Sequence, residues 1–304
     1  MRNIMTIPNF EKSANSIWHN PYFDYLKDSG FWNNIDASDL PQAQDVFLQE
    51  FPEWIVSSKL NSFRGLDIDH YPHRIISLGT TQAFDWWHFM CASRGQRIRV
   101  FKGEYPYHRD VAYHWDHTQY IENENLRKGD AVIISIPFSG TGDKHPYWKW
   151  LIEQCYEMNI PIYVDCAWFG CCEDIEVKLA HGPIQAVAFS TTKSLSSGNW
   201  RAGMVFTREN YSSLHLQTEW HHGIHLNTRI GLELIRNFSP DTIPTVYSKH
   251  ADAVCKHFGL TRSKTVHIAK GDDTWNDYSR DGTYNRINIR KHIKHYKKHK
   301  TFGQ

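Results

Sequence analysis

The sequence predicts an α/β protein: a mostly parallel, doubly wound sheet followed by a reduced, smaller α+β unit. Three observations carry that prediction. Short apolar runs alternate with helical stretches from about Arg74 to Phe206, the pattern of strands crossing over through helices. Small or polar residues follow several of those runs, where an open sheet places its ligand turns. Residues 190–203, STTKSLSSGNWRAG, form a polar loop bracketed by two apolar runs, 184–189 and 204–206, which read as buried strands.

Taken in order, residues 1–36 are aromatic and polar with poor periodicity, and are expected to form an irregular arm. Residues 38–55 read as a helix, with Ser38 as a cap and Pro41 near the first turn. Residues 75–78 are a short strand. Gly79-Thr80-Thr81 follows it and opens a helix that runs to about Ser93. A strand, a small polar turn and a helix N-terminus can converge backbone N–H groups and hydroxyls on an anion; a plain helix cap is the simpler alternative. Residues 97–101 are the next strand, then Glu104-Tyr105-Pro106-Tyr107. Residues 131–136 are a strongly apolar strand that runs into Pro137-Phe-Ser139-Gly140. In 146–159, Trp148, Leu151, Ile152 and Cys155 recur at helical spacing. Asp165 then ends the apolar strand 160–165, the usual place for a working carboxylate in an open sheet.

Beyond Phe206, residues 226–238 and 244–258 read as helices, and 285–289 as a strand carrying Arg286. The basic run 290–300, RKHIKHYKKHK, is expected to be a solvated helical face or a frayed end rather than a polyanion site. The expected division is an arm over 1–45, a large unit over 46–225 and a small unit with a basic tail over 226–304. Lys and Arg number 34 against 33 Asp and Glu, so nothing global implies a nucleic-acid partner. The N-terminus lacks a signal pattern and no apolar run nears the ~18 residues of a membrane span, so a cytoplasmic protein is expected. The six Cys lack a secreted-framework spacing and are expected to be reduced thiols. Neither Cys166, Cys171 and Cys172 nor His221, His222 and His225 fit a common metal pattern, so no metal is expected. Nothing singles out Glu104 or Asp110 as a working acid.

Lys193 sits at a strand end among hydroxyls, with Arg201 eight residues on. A buried lysine is costly unless its charge is removed or used, and a Schiff base with an aldehyde cofactor removes it. The hydroxyls and Arg201 suit a phosphate. Ser190-Thr191-Thr192-Lys193 followed by Arg201-Ala202-Gly203 resembles the cofactor-lysine motif of the fold-type I pyridoxal 5'-phosphate (PLP) enzymes, the aspartate aminotransferase superfamily. That family carries Ser-x-Ser-Lys with Arg-x-Gly at the same offset. Its other motifs find counterparts in the same order. Thr80 and Thr81 match phosphate-binding positions, and Tyr105 matches an aromatic residue stacked on the cofactor ring. Ser139 stands where the family's asparagine donates to the phenolic oxygen, with Gly140 replacing a proline. Asp165-Cys166-Ala167-Trp168 matches Asp-x-Ala-Tyr, in which the aspartate pairs with the ring nitrogen; Trp168 departs from the usual tyrosine. Arg286 resembles the arginine that forks onto the substrate carboxylate. Tyr71 is a candidate for the phosphate-binding tyrosine that a second subunit supplies.

The resemblance therefore implies a PLP enzyme, with Lys193 as Schiff-base lysine and general base and Asp165 as partner of the ring. Ser190, Thr192, Arg201, Thr80 and Thr81 would hold the phosphate, and Tyr105, Ser139, Ala167 and Trp168 the ring. Transamination between a small-molecule amino donor and a keto acceptor, in a homodimer, is the implied activity. The same parts also serve decarboxylation, elimination or racemisation. A non-catalytic PLP-fold binding protein is the alternative from another class, and the intact Lys193, Asp165 and Arg201 argue against it. The chain is shorter than is usual for that family, in the arm and small unit where selectivity is set, so the substrate stays open.

Overall fold

The computed structural model describes residues 10–11, 19–112, 118–210, 212–221 and 224–302. Its centre is a seven-stranded sheet. The strands are β1 (His73–Ser77), β2 (Arg97–Val100), β3 (Thr118–Tyr120), β4 (Asp130–Ser135), β5 (Ile162–Asp165), β6 (Ile184–Ser190) and β7 (Gly203–Thr207), in the spatial order β1-β7-β6-β5-β4-β2-β3. Every pairing from β6 through β5, β4 and β2 to β3 is parallel. β7 alone runs antiparallel to its neighbours, β1 and β6. This is the expected mostly parallel α/β sheet. The exception has a local cause: β6 and β7 are joined by residues 191–202, too short for a full helical crossover back to the start of the sheet, so the chain returns alongside.

The apolar runs alternate between two cores. Ala131, Ile133 and Tyr163 pack on one face of the sheet, and Val132, Ile134, Ile162 and Val164 on the other. Helices cover both faces, which is why these strands read as continuous apolar runs. Helix α3 (Thr80–Ser93) supplies Phe84, Trp87 and Met90 to the first core. The short α4 (Tyr107–Ala112) lies between β2 and β3. Helices α2 (Leu40–Val56) and α5 (Trp148–Met158) serve the second core, and α5 buries the Trp148, Leu151, Ile152 and Cys155 stripe. After β7, α7 (Ser212–Glu219) packs on β1, and α8 (His225–Asn237) packs on α2. A second, antiparallel sheet follows α9 (Thr242–Phe258): β8 (Thr261–Arg262), β9 (Ile268–Lys270), β10 (Ser279–Arg280) and β11 (Tyr284–Asn288), ordered β8-β9-β11-β10.

One expectation changes and one is met. The arm is not irregular throughout. Helix α1 (His19–Asp28) buries Tyr22 and Leu26, one turn apart, and Tyr22 packs edge-on against Phe238 at 4.8 Å. An apolar stripe of two residues gives no readable periodicity; the tertiary contact completes it. The basic run is the expected helical face: α10 (Arg290–His299) leaves Lys291, Lys297 and Lys298 exposed, buries His292 and Ile293, and packs on α9. Among the described residues no helix is long and apolar enough to cross a membrane. All six cysteines are buried free thiols.

Candidate active site

The carboxyl ends of β1, β2, β4, β5 and β6 converge on one cavity. Register explains how. Ser77 of β1 and Ser190 of β6 both pair with Gly203 of β7. A Cβ on Gly203 would lie 2.4 Å from the Phe189 carbonyl oxygen and 3.0 Å from the Gly79 Cα, so only glycine lets these backbones meet. Gly79 itself has φ +74°, and a Cβ there would stand 3.0 Å from Ser190 Oγ and 3.2 Å from Thr192 Oγ1. The start of α3 is thereby set against two hydroxyls.

The loop after β6 is pinned from below. Ser190 caps its short helix α6 (Thr191–Ser194), its Oγ accepting from Thr192 N at 3.0 Å. The buried Thr191 hydroxyl donates to the Ala202 carbonyl at 2.9 Å and lies 2.7 Å from Ser197 Oγ. Ser190, Thr192 and Lys193 are left lining the cavity, with Arg201 exposed at its rim. N–H groups of a helix start, hydroxyls and a guanidinium make an anion cradle.

The other half of the cavity holds Asp165, 6% exposed at the end of β5. Its Oδ1 accepts from Ala167 N at 2.9 Å, and Thr80 lines the cavity beside it. Burial pushes this carboxyl up to about 7, with Lys193 opposing and Glu104 adding to the rise. Burial also pushes the Lys193 ammonium down, against the pull of Asp165. Lys193 Nζ lies 5.2 Å from the Trp168 ring centroid and 5.8 Å from that of Tyr105, which is half-exposed at the mouth. Trp168 is 4% exposed, and its Nε1–H has no hydrogen-bond partner among the described residues.

The structure thus brings Lys193, Asp165, Thr80, Thr81, Tyr105, Ser139, Ala167, Trp168, Ser190, Thr192 and Arg201 to the lining of one cavity. Arg286 stands one layer back. It is buried on β11, donates from Nη1 to the Ser139 carbonyl at 2.9 Å, and lies 6.0 Å from the Trp168 ring centroid. Burial, with Arg280 adding, pushes it down to about 9.

Tyr71 is a correction. It is fully buried and its hydroxyl donates to the Leu179 carbonyl at 2.6 Å, so it is a core residue rather than a surface phosphate donor. His221 sits 3.1 Å from Asp45, and His222 lies outside the described residues. The sequence reading missed Gly79, Phe84, Ser135 and Pro137 in the lining, and the buried Glu104 behind it. The glycine between a strand end and two threonines was a readable signal for the first. Glu104 had only its place before Tyr105.

No family model and no curated protein matches this sequence. Solved structures do. The probable N-succinyldiaminopimelate aminotransferase of Thermus thermophilus aligns over 93% of this chain and 90% of its own, at 12% identity and a TM-score of 0.64. The aromatic aminotransferase of Pyrococcus horikoshii aligns over 91% and 88%, at 12% and 0.61. The PLP-bound C-S lyase of Staphylococcus hominis aligns over 90% and 86%, at 11% and 0.57. At such identities the likeness establishes the fold: the chain adopts the fold of the PLP-dependent aminotransferases. The lyase shares that fold, so the fold does not select among reactions.

Proposed function

We propose that this chain is a PLP-dependent aminotransferase, moving an amino group between a small amino donor and a keto acceptor. One observation carries the reading: Lys193 and Asp165 face the same cavity at the carboxyl edge of the sheet, beside a glycine-and-hydroxyl anion cradle. The donor set fits PLP. Lys193 would bond its aldehyde carbon. Thr81, Ser190, Thr192, Arg201 and the helix start at Gly79 would hold its phosphate. Asp165 would face its ring nitrogen and Tyr105 its ring. Trp168 offers an unpartnered N–H, and Ser139 a hydroxyl, for the phenolic oxygen. When bound, the cofactor supplies an electron sink for negative charge at the substrate α-carbon.

The chain's own residues do the rest. Burial favours the neutral amine of Lys193, the form that accepts a proton from the α-carbon and returns one. Asp165 keeps a proton or a cationic group at its own oxygens, where burial and Glu104 make a bare carboxylate costly. Arg286, which donates to the Ser139 carbonyl, would orient a carboxylate with its guanidinium. Phe84 and Tyr105 wall the cavity and exclude water.

The test is the visible absorption of purified protein with added PLP, repeated against a panel of amino donors. A yellow protein that bleaches with one donor and releases its keto product is the expected result. A yellow protein that no donor bleaches, while another product forms, moves the reaction to a lyase or a decarboxylase. No colour, with Lys193 unmodified after borohydride, overturns the reading.

A further inference from the structure

Two buried carboxylates meet at this edge of the sheet, and only Asp165 lines the cavity. Glu104, 3% exposed, lies behind the wall. It is held by two cavity-lining residues. Its Oε1 accepts from Ser135 Oγ at 2.6 Å and from Tyr105 N at 2.8 Å, and its Oε2 accepts from Ser135 N at 2.8 Å. Ser135 Oγ accepts in turn from Ser139 N at 2.8 Å. One carboxylate therefore ties the turn after β2 to the turn after β4, and so fixes both Tyr105 and Ser139. Its donors are all uncharged. Arg280 reaches only the Glu104 backbone carbonyl, at 3.4 Å, and acts on the carboxylate through space. Burial pushes the Glu104 carboxyl up, and the hydrogen bonds from Ser135 and Tyr105 oppose that rise.

When ionised, that carboxylate acts on Asp165 through space. The groups facing Asp165 are Lys193 from α6, the Thr80 hydroxyl from α3, Ala167 N and Cys166 from its own turn, and Glu104 after β2. Lys193 and Glu104 are the charged ones, and they act in opposite directions. We propose that Glu104 is a positioning residue for this site, clamping Tyr105 and the Ser139 turn and setting the charge that Asp165 presents to the cavity. When Glu104 is ionised behind it, Asp165 gives up its proton readily only when a cationic group, such as a protonated ring nitrogen, stands in front. The inference rests on the PLP reading above for its consequence. Its physical core, the coupling of two carboxylates, is measurable without cofactor.

The test compares Glu104→Gln, Ser135→Ala and Asp165→Asn by thermal denaturation across pH and by PLP titration followed through tryptophan fluorescence. Asp165 holds its proton in the folded state up to about 7. Between the unfolded value near 4 and that pH, folded protein binds more protons than unfolded, so this group's share of stability falls as pH rises and levels off above it. In Glu104→Gln the levelling moves down by about one pH unit and PLP binds about tenfold more weakly. Asp165→Asn removes the step and assigns it. Ser135→Ala cuts the hydroxyl links, keeps both carboxylates, lowers the Tm and leaves the step in place. A Glu104→Gln protein that loses Tm with the step unmoved makes Glu104 merely structural and overturns the proposal. If Glu104→Gln does not fold, carboxyl carbon-13 titration of the native protein decides: coupled steps for the two carboxylates are expected, and an Asp165 step that ignores Glu104 overturns it. If the native protein takes up no PLP, the cofactor reading fails, and the cofactor-free pH profile still decides the coupling.

Discussion

Asp130 and Asp165 sit on neighbouring strands, at opposite ends of the sheet, and both are buried. Asp130 opens β4, and every direction around it is answered. Arg97 Nε donates at 2.8 Å and Arg99 Nη1 at 2.8 Å, and the Arg127 backbone N–H adds a bond at 2.9 Å. Arg99, itself fully buried, also donates from Nη1 and Nη2 to the carbonyls of Tyr120, Glu124 and Asn125, and its Nε–H alone lacks a partner among the described residues. Asp165 closes β5 with a backbone N–H from Ala167, while Lys193 beside it makes no ion pair among the described residues. The same chemistry at the two ends thus has two meanings. A buried charge with complete partners is architecture. A buried acid and base left incomplete beside a cavity are reserved for something that arrives.

The sharpest way to break this contrast is to delete one charged group from each end. Lys193→Ala is expected to abolish PLP colour and to lower turnover by about a thousandfold or more, measured by absorption and product assay. Its Tm should hold or rise, because an ammonium lacking an ion pair leaves a buried place. Asp130→Ala is the mirror case. It strands Arg99 and Arg97 without their carboxylate, and breaking such a buried cluster costs about 3–5 kcal/mol, read as a fall in urea midpoint at unchanged slope. The remaining folded protein should still take up PLP. If Asp130→Ala spared stability and removed the colour, or Lys193→Ala unfolded the protein, the assignment of architecture to one end and ligand to the other would be reversed.

The legible parts of the sequence were those where one residue type has one physical use. The alternation of Val132 and Ile134 with Ala131 and Ile133 shows a strand buried on both faces, and the structure has two cores there. The spacing from Lys193 to Gly203 was readable because Gly203 must admit two other backbones within van der Waals contact. Glu104 was not legible. A glutamate in a turn reads as solvated, and its burial comes from Ser135, thirty-one positions away. Helix α10 was legible as a solvated basic face, but its buried side was not. Its cations dominate the composition, while the face that packs on α9 is carried by Ile293 and a histidine, a residue that no apolar pattern counts. Arg286 was legible as a buried arginine, but its place one layer behind Ser139 depends on how the second sheet docks, which the sequence does not encode locally.

Tyr71 marks the smallest expected effect and tests the core side of the contrast. Its hydroxyl donates to the Leu179 carbonyl, and the Arg208 guanidinium lies 5.6 Å from its ring centroid. Burial is the main cause that raises its ionisation well above the usual tyrosine range, so it acts as a neutral donor at every physiological pH. Tyr71→Phe removes that donor and nothing else. The Leu179 carbonyl keeps the His181 N–H at 2.9 Å, so it is not left bare. The loss should be about 1 kcal/mol, seen in denaturant unfolding, with PLP affinity unchanged. A Tyr71→Phe protein of native stability whose PLP affinity falls tenfold would place this hydroxyl on a phosphate, in a cavity that its buried position does not reach.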